Sequence, residues 1–266
     1  MISISSGKVV KFLAFVVLGL ISFSLLGQLA KVMWAGDYPW IVSLAHLFDV
    51  DREKNLSSLY SAATLLVCAF LLAVITWAKR LSCDRYVLHW GFLSCIFLFL
   101  AADEWTSLHE KTIEPLRALL GGNRGGFLHF AWVIPGALFV GIVAIAYLKF
   151  LKDLPTRTQR LLLAAGTIYV AGALVMEMVD GAYAHQYGWQ IWNQQGLKPT
   201  VAALVYTLMM TCEEALEMVG VLICIYALLS YLGDCIQEVR IRIDTERHSI
   251  LSESDAEGAM TNRSQA

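Results

Sequence analysis

The chain has 266 residues, 58% of them hydrophobic and 16% charged, with five prolines and a formal net charge of -2. This composition excludes a disordered chain and an ordinary soluble domain. The near-neutral charge leaves no basic footprint, so no nucleic-acid partner is expected. Six cysteines occur, at Cys68, Cys83, Cys95, Cys212, Cys224 and Cys235. Four lie inside apolar runs, Cys83 and Cys235 lie beside basic residues, none falls in a loop expected on the outer side, and none has zinc-type spacing, so neither a disulfide framework nor a structural zinc is expected.

Taken in chain order, six apolar runs read as transmembrane helices, at residues 9–32, 57–78, 86–109, 127–150, 161–183 and 200–231. The first is too long in its apolar part for a cleaved signal peptide and reads as a signal anchor. Between the first two runs lies a polar loop with interfacial aromatics at Tyr38, Trp40 and Phe48. Asn55 or Ser57 is placed to cap the second helix. Asp49, Asp51 and Glu53 look like the start of a calcium loop but lack its glycine and closing Glu. The third run ends in the acidic stretch Ala101–Glu110, and Pro115 argues against a long helical extension beyond it. Trp189 and Trp192, in the loop before the last run, fit an aromatic belt. From Gly233 the tail is charged, Ser/Glu-rich and expected to be largely disordered. The fold class is therefore all-α, a polytopic membrane helix bundle over residues 1–232. Lys and Arg concentrate on one face, at Lys8, Lys11, Lys79, Arg80, Arg85, Lys149, Lys152, Arg157, Arg160, Arg240, Arg242 and Arg247, so both termini are expected in the cytoplasm.

Ionisable residues inside these runs are costly, on the order of 2.5–3.5 kcal/mol for a central Asp, and mark functional sites. The candidates are Asp103, Glu104, His109 and Glu110 in the third run, His129 in the fourth, Glu177 and Asp180 in the fifth, and Glu213, Glu214 and Glu217 in the sixth. Counting from the cytoplasmic helix ends puts Asp103, His129, Glu177 and Glu213 in one layer, about 25–29 Å from the inner face at the helical rise. A continuous third helix would set Asp103, Ser107 and Glu110 on one stripe and turn His109 away.

No Lys or Arg lies inside the acidic helices to neutralise them. Protons, hydrogen bonds or metal cations must do so. Inward acids with histidine in a helix bundle are how di-metal carboxylate sites are built. One or two divalent ions (iron, manganese or zinc) are thus one expectation, in a metal-dependent membrane oxidoreductase or hydrolase acting on a lipid or other apolar substrate. The ferritin-type Glu-x-x-His repeat is absent. A proton- or cation-coupled transporter is the alternative reading, and a non-catalytic scaffold, with the acids as a polar seam between helices, is the third.

Three motifs carry a resemblance. Phe48-Asp49-x-Asp51-x-Glu53-x-Asn55, then Asp103-Glu104 with His109-Glu110, then Glu213-Glu214-x-x-Glu217-Met218-x-Gly220 resemble an uncharacterised group of bacterial multi-pass membrane proteins. The resemblance implies a bacterial inner-membrane location and a shared site, without a reaction. The chain departs from the group's pattern at Ser57 and Leu59. The His-x-x-x-His pair of ceramidase-type membrane hydrolases is missing.

Overall fold

The computed structural model describes the chain except residues 1–4, 35–37, 53, 120, 122–124, 193–199 and 262–266, and leaves the side chains of 32, 189, 190, 192 and 235–261 undescribed. Glu53, Trp189, Trp192 and Cys235 therefore lie outside what it settles at side-chain level. The chain forms two compact units, 1–228 and 229–266.

Among the described residues the only regular secondary structure is helix. The helices are α1 (Ser6–Trp34), α2 (Trp40–Phe48), α3 (Leu56–Leu81), α4 (Val87–Thr106), α5 (Leu108–Leu119), α6 (Val133–Lys152), α7 (Thr156–Val170), α8 (Glu177–Trp192) and α9 (Val201–Thr261). A π-helical segment, Ala171–Met176, joins α7 to α8, so the two make one continuous span. Six helical segments are long and apolar enough to cross a membrane, as the sequence leads one to expect.

Boundaries differ from expectation where local chemistry interrupts a run. The third span stops at Thr106, because Ser107 adopts a left-handed conformation (φ 50°) that ends the helix. Pro115 does not end the next segment: α5 passes through it to Leu119. The fourth span starts at Val133 rather than 127, with Pro135 in its first turn, where the missing N–H has no intrahelical partner to lose. The fifth starts at Thr156, directly after the extended Pro155. In the second unit the described residues to Thr261 are helical. The segment 234–261 contains no proline and is rich in Ile, Glu and Arg, of which Glu and Arg are good helix formers.

The bundle has a centre and a rim. Half of the α9 apolar window and 44% of the α3 window are buried, against 17% or less in the other four spans. On α3 the buried residues Leu65, Cys68, Ala69, Leu72 and Ile75 recur at helical spacing. They face the same interior as Val221, Cys224, Ile225 and Leu228 of α9, and the Cys68 thiol lies 4.0 Å from the Val221 carbonyl oxygen. Around this pair, Phe12, Phe15, Phe70, Trp77, Leu138 and Ile145 point outward. Such an apolar exterior is suited to lipid.

Helix α1 lies against the centre through Val17, which packs with Val50, Met218 and Leu222. The Tyr60 hydroxyl donates to the Leu13 carbonyl at 3.1 Å. Close crossings use glycine. A Cβ on Gly27 would sit 3.1 Å from Ala45 of α2, and one on Gly220 would sit 2.8 Å from the Tyr169 backbone nitrogen. The second distance is shorter than real Cβ contacts allow, so α7 and α9 can meet this closely only with glycine there.

Candidate functional site

The loop between α2 and α3 is anchored at both ends. Asp49 is buried, accepts from Gln28 at 2.9 Å and pairs with Lys31 at 3.5 Å. Asn55 is the N-cap of α3 and forms a reciprocal capping box with Ser58. Its amide also donates to the carbonyls of His46 and Asp49, and the Ser57 hydroxyl donates to that of Phe48. The first motif is thus a brace, in which Asp49 ties the loop to α1 and Asn55 ties it to α3.

Asp51 has the opposite orientation. The residue is exposed, yet its carboxyl is crowded by protein, and the charges of Asp49, Glu110, Asp180 and Glu177 act on it. Burial first, and those carboxylates second, raise it to about 7. It stands over the acids of the bundle at their solvent end.

Below it the second motif folds into a hook. Because Ser107 turns the chain left-handed, His109 comes back over the end of α4. Its backbone N–H donates to Asp103 Oδ1 at 2.9 Å, and its Nδ1 lies 2.8 Å from Asp103 Oδ2. The stripe of Asp103, Ser107 and Glu110, with His109 turned away, is therefore corrected: a helical wheel does not continue through a left-handed residue. Desolvation pulls the His109 ring down. The hydrogen bond and charge of Asp103, followed by Glu177 and Glu110, outweigh it and leave the ring at about 9. His109 is thus an imidazolium at neutral pH, facing carboxylates.

The His109 ring also packs against Trp132, with centroids 4.9 Å apart. Trp132 Nε1 donates to Glu177 Oε1 at 2.9 Å. Glu177 is the first residue after the π-helical segment, and Asp180 follows one turn later. Across from them on α9 stands Glu213, close to both Glu177 and Asp180. All three are buried, Asp180 completely at 0% exposure. Both oxygens of Asp180 and Oε2 of Glu213 have no hydrogen-bond donor among the described residues. The helices can approach because Gly172 faces Glu213: a Cβ there would lie 2.8 Å from its carbonyl oxygen and 2.9 Å from Glu217 Cγ.

One turn further in, Glu217 hydrogen-bonds Tyr169. With Glu104, Ser61, Thr64 and Leu65 these residues line a cavity of about 10 Å³, close to the smallest volume that admits one water. Ser61 Oγ is buried there without a partner among the described residues. Glu214 is half-buried and lies within electrostatic reach of Tyr169.

Of the expected site residues, Asp103 pairs with His109, Glu213 stands beside Glu177 and Asp180, and Glu217 lies within electrostatic reach of Glu104, His109 and Glu177. Glu110 is exposed and acts on His109 and Asp51 by charge. His129 does not join them. It lies before α6, in a second cluster, where its ring is 5.8 Å from that of His185 and its carbonyl accepts from Arg117 at 2.6 Å. Burial, then the charges of Arg117 and His185, lower its pKa. The layer drawn from helix counting gains His109 and loses His129, because 127–132 is not α-helical and depth cannot be counted through it. Trp132 takes the place expected of His129.

Sequence reasoning missed Trp132, Tyr169, Tyr206 and the inward Asp51. Tyr169 and Tyr206 carried a weak signal, as phenols inside apolar runs whose hydroxyls need partners. Tyr206 is buried and faces Asp51, Asp180, Glu177 and Glu213.

Chemically, the arrangement is a carboxyl-rich chamber with a single imidazolium at its rim. No Lys or Arg occurs in residues 86–110, 161–197 or 199–239. Carboxyls packed this closely cannot all be ionised without added cations. Among the described residues, no three His, Cys, Asp or Glu side chains converge as a metal-holding group.

No curated protein and no solved structure matches the chain. The profile of one family, Domain of unknown function (DUF8692), matches residues 11–232. That match covers nearly all of the six candidate membrane spans, and the chain belongs to this family, whose function is unknown.

Proposed function

We propose that the chamber is the proton-holding site of a proton-coupled membrane transporter, resident in a bacterial inner membrane as the sequence resemblance implies and loaded from the outer face. The observation that carries this reading is the contact between Asp180 and Glu213: two buried carboxyls beside each other, whose oxygens Asp180 Oδ1 and Oδ2 and Glu213 Oε2 have no protein N–H or O–H donor among the described residues. Such a pair needs a shared proton or another cation between its members. Titratable groups lead down to it. Asp51 at about 7 is poised to exchange protons with neutral water. Glu110 and the His109–Asp103 pair come next, then Glu177, and Glu217 with its water-sized cavity lies beyond. The π-helical segment fits the same role, since such segments recur at functional sites and interrupt the regular backbone ladder of a span.

A divalent-metal centre is the second reading, favoured by the same buried oxygens. Among the described residues, the side chains as placed do not form a ready ligand shell.

Infrared spectroscopy of the purified protein in lipid, with elemental analysis on the same sample, decides between them. The expected result is a protonated-carboxyl carbonyl band near neutral pH that shifts in heavy water and is lost in Asp180→Asn and Glu213→Gln. Reconstituted vesicles should take up protons under an inside-negative potential, and Glu213→Gln should abolish this. Absence of the band, together with about one bound metal per chain, would favour the metal centre and sink the proton reading.

A further inference from the structure

The opposite face of the bundle carries a second, unrelated site. The start of α7 and the side of α9 enclose an open groove of about 570 Å³, lined by Thr156, Arg157, Arg160, Leu161 and Tyr226. The groove lies where the α6–α7 turn emerges, at the end of the bundle that gathers Lys149, Lys152, Arg157 and Arg160. Its volume falls within the usual range for ligand sites.

Its lining is amphipathic in a particular order. Leu161 and the Tyr226 ring supply apolar wall, and two guanidinium groups with the Thr156 hydroxyl supply a polar rim. Arg157 is held in place: its Nη2 donates to the Tyr226 hydroxyl at 2.7 Å, and its guanidinium carbon sits 5.7 Å from the centre of that ring. Neither Arg157 nor Arg160 forms an ion pair with a carboxylate among the described residues. The neighbouring acid, Asp153, is taken up by Arg85 at 2.6 Å. The N-cap position of α7 is Pro155, which supplies no side-chain cap, so the first amides of the helix also face outward without a side-chain acceptor.

Two unneutralised arginines at the membrane boundary, above an apolar wall between two helices, match one ligand chemistry. They fit an anion attached to an apolar body. Guanidinium pairs with phosphate oxygens in fork geometry, and basic pockets between transmembrane helices on this kind of face hold anionic lipid head groups. We propose that the groove binds the phosphodiester head group of an anionic phospholipid, with Arg157 and Arg160 on the phosphate and an acyl chain along Leu161 and the Tyr226 ring. This site is independent of the acid chamber and of the function proposed for it.

Native mass spectrometry of the full-length protein, released from micelles containing equal phosphatidylglycerol and phosphatidylcholine, tests the proposal. Wild type should retain phosphatidylglycerol in preference. The double variant Arg157→Gln/Arg160→Gln should retain roughly thirtyfold less, the loss expected for two basic residues at an anionic surface. Tyr226→Phe, which frees Arg157 while keeping the ring, should lower retention a few-fold and serves if the double variant does not fold. Equal retention of the two lipids, or retention unchanged in a folded variant, would overturn the assignment. Complete displacement by millimolar inorganic phosphate would overturn the lipid source in favour of a soluble anion.

Discussion

The His109–Asp103 pair is the residue whose behaviour can be followed most directly. Its pKa stands at about 9 against an ordinary 6.5. A histidine raised on folding adds stability that is fully present below 6.5 and is lost as pH rises through about 9. The shift corresponds to on the order of 3 kcal/mol at most. His109→Gln should therefore lower the thermal midpoint clearly near pH 6, and the gap to wild type should close as pH passes about 9. A gap of equal size at both ends would show that the imidazolium contributes nothing as a charge. Glu177, Asp180, Glu213 and Glu217 were legible in the sequence because each sits inside a helix, where depth and facing can be counted. The partnership of Asp103 with His109 was not. It depends on one backbone conformation at Ser107, and a serine in an apolar-to-polar transition carries no sign of left-handed geometry.

At the scale of elements, the site exists because two helices approach unusually closely. Gly172 and Gly220 admit α9 against the α7–α8 span, and this brings Glu213 beside Asp180 and Glu217 beside Tyr169. Gly220→Ala puts a methyl group against the Tyr169 backbone nitrogen, which cannot swing aside as a side chain can. Such overpacking typically costs about 1–3 kcal/mol. Gly19→Ala, where nothing lies within 4 Å, should be neutral or slightly stabilising. A thermal-shift comparison of the two variants in one detergent checks this, and equal midpoints would contradict the close crossing. The six spans were readable from hydropathy. The glycine crossings were not, because their spacing fits no small-xxx-small motif, and the π-helical segment has no residue signature in Ala171–Met176. The fourth helix's contribution was misplaced for a related reason: the chain enters α6 only at Val133, and Trp132 reaches Glu177 from just outside it.

For the molecule as a whole, the basic bias of one face predicts that both termini are cytoplasmic. A fluorescent protein that matures only in the cytoplasm should light up at either terminus and stay dark when inserted near Arg117. The reverse pattern would invert the topology and place Arg157 and Arg160 outside. The bundle is also divided along its length. Carboxyls gather in the half towards the α2–α3 loop, while Cys68, Leu72, Ile75, Ile225 and Leu228 fill the other half at 1% exposure or less. This division has an electrical meaning. Full passage of one elementary charge across a membrane is worth about 2.3 kcal/mol per 100 mV. The apolar half is a dry dielectric across which most of that potential falls, whereas a polar half open to water carries less of it. On the proposed reading, in which the chamber loads from the outer face, an entering cation crosses only a fraction of the field, and an inside-negative membrane favours its occupancy. On that reading the packing of α3 against α9 sets how steeply the loading of the acids responds to voltage, although none of those apolar residues carries a charge.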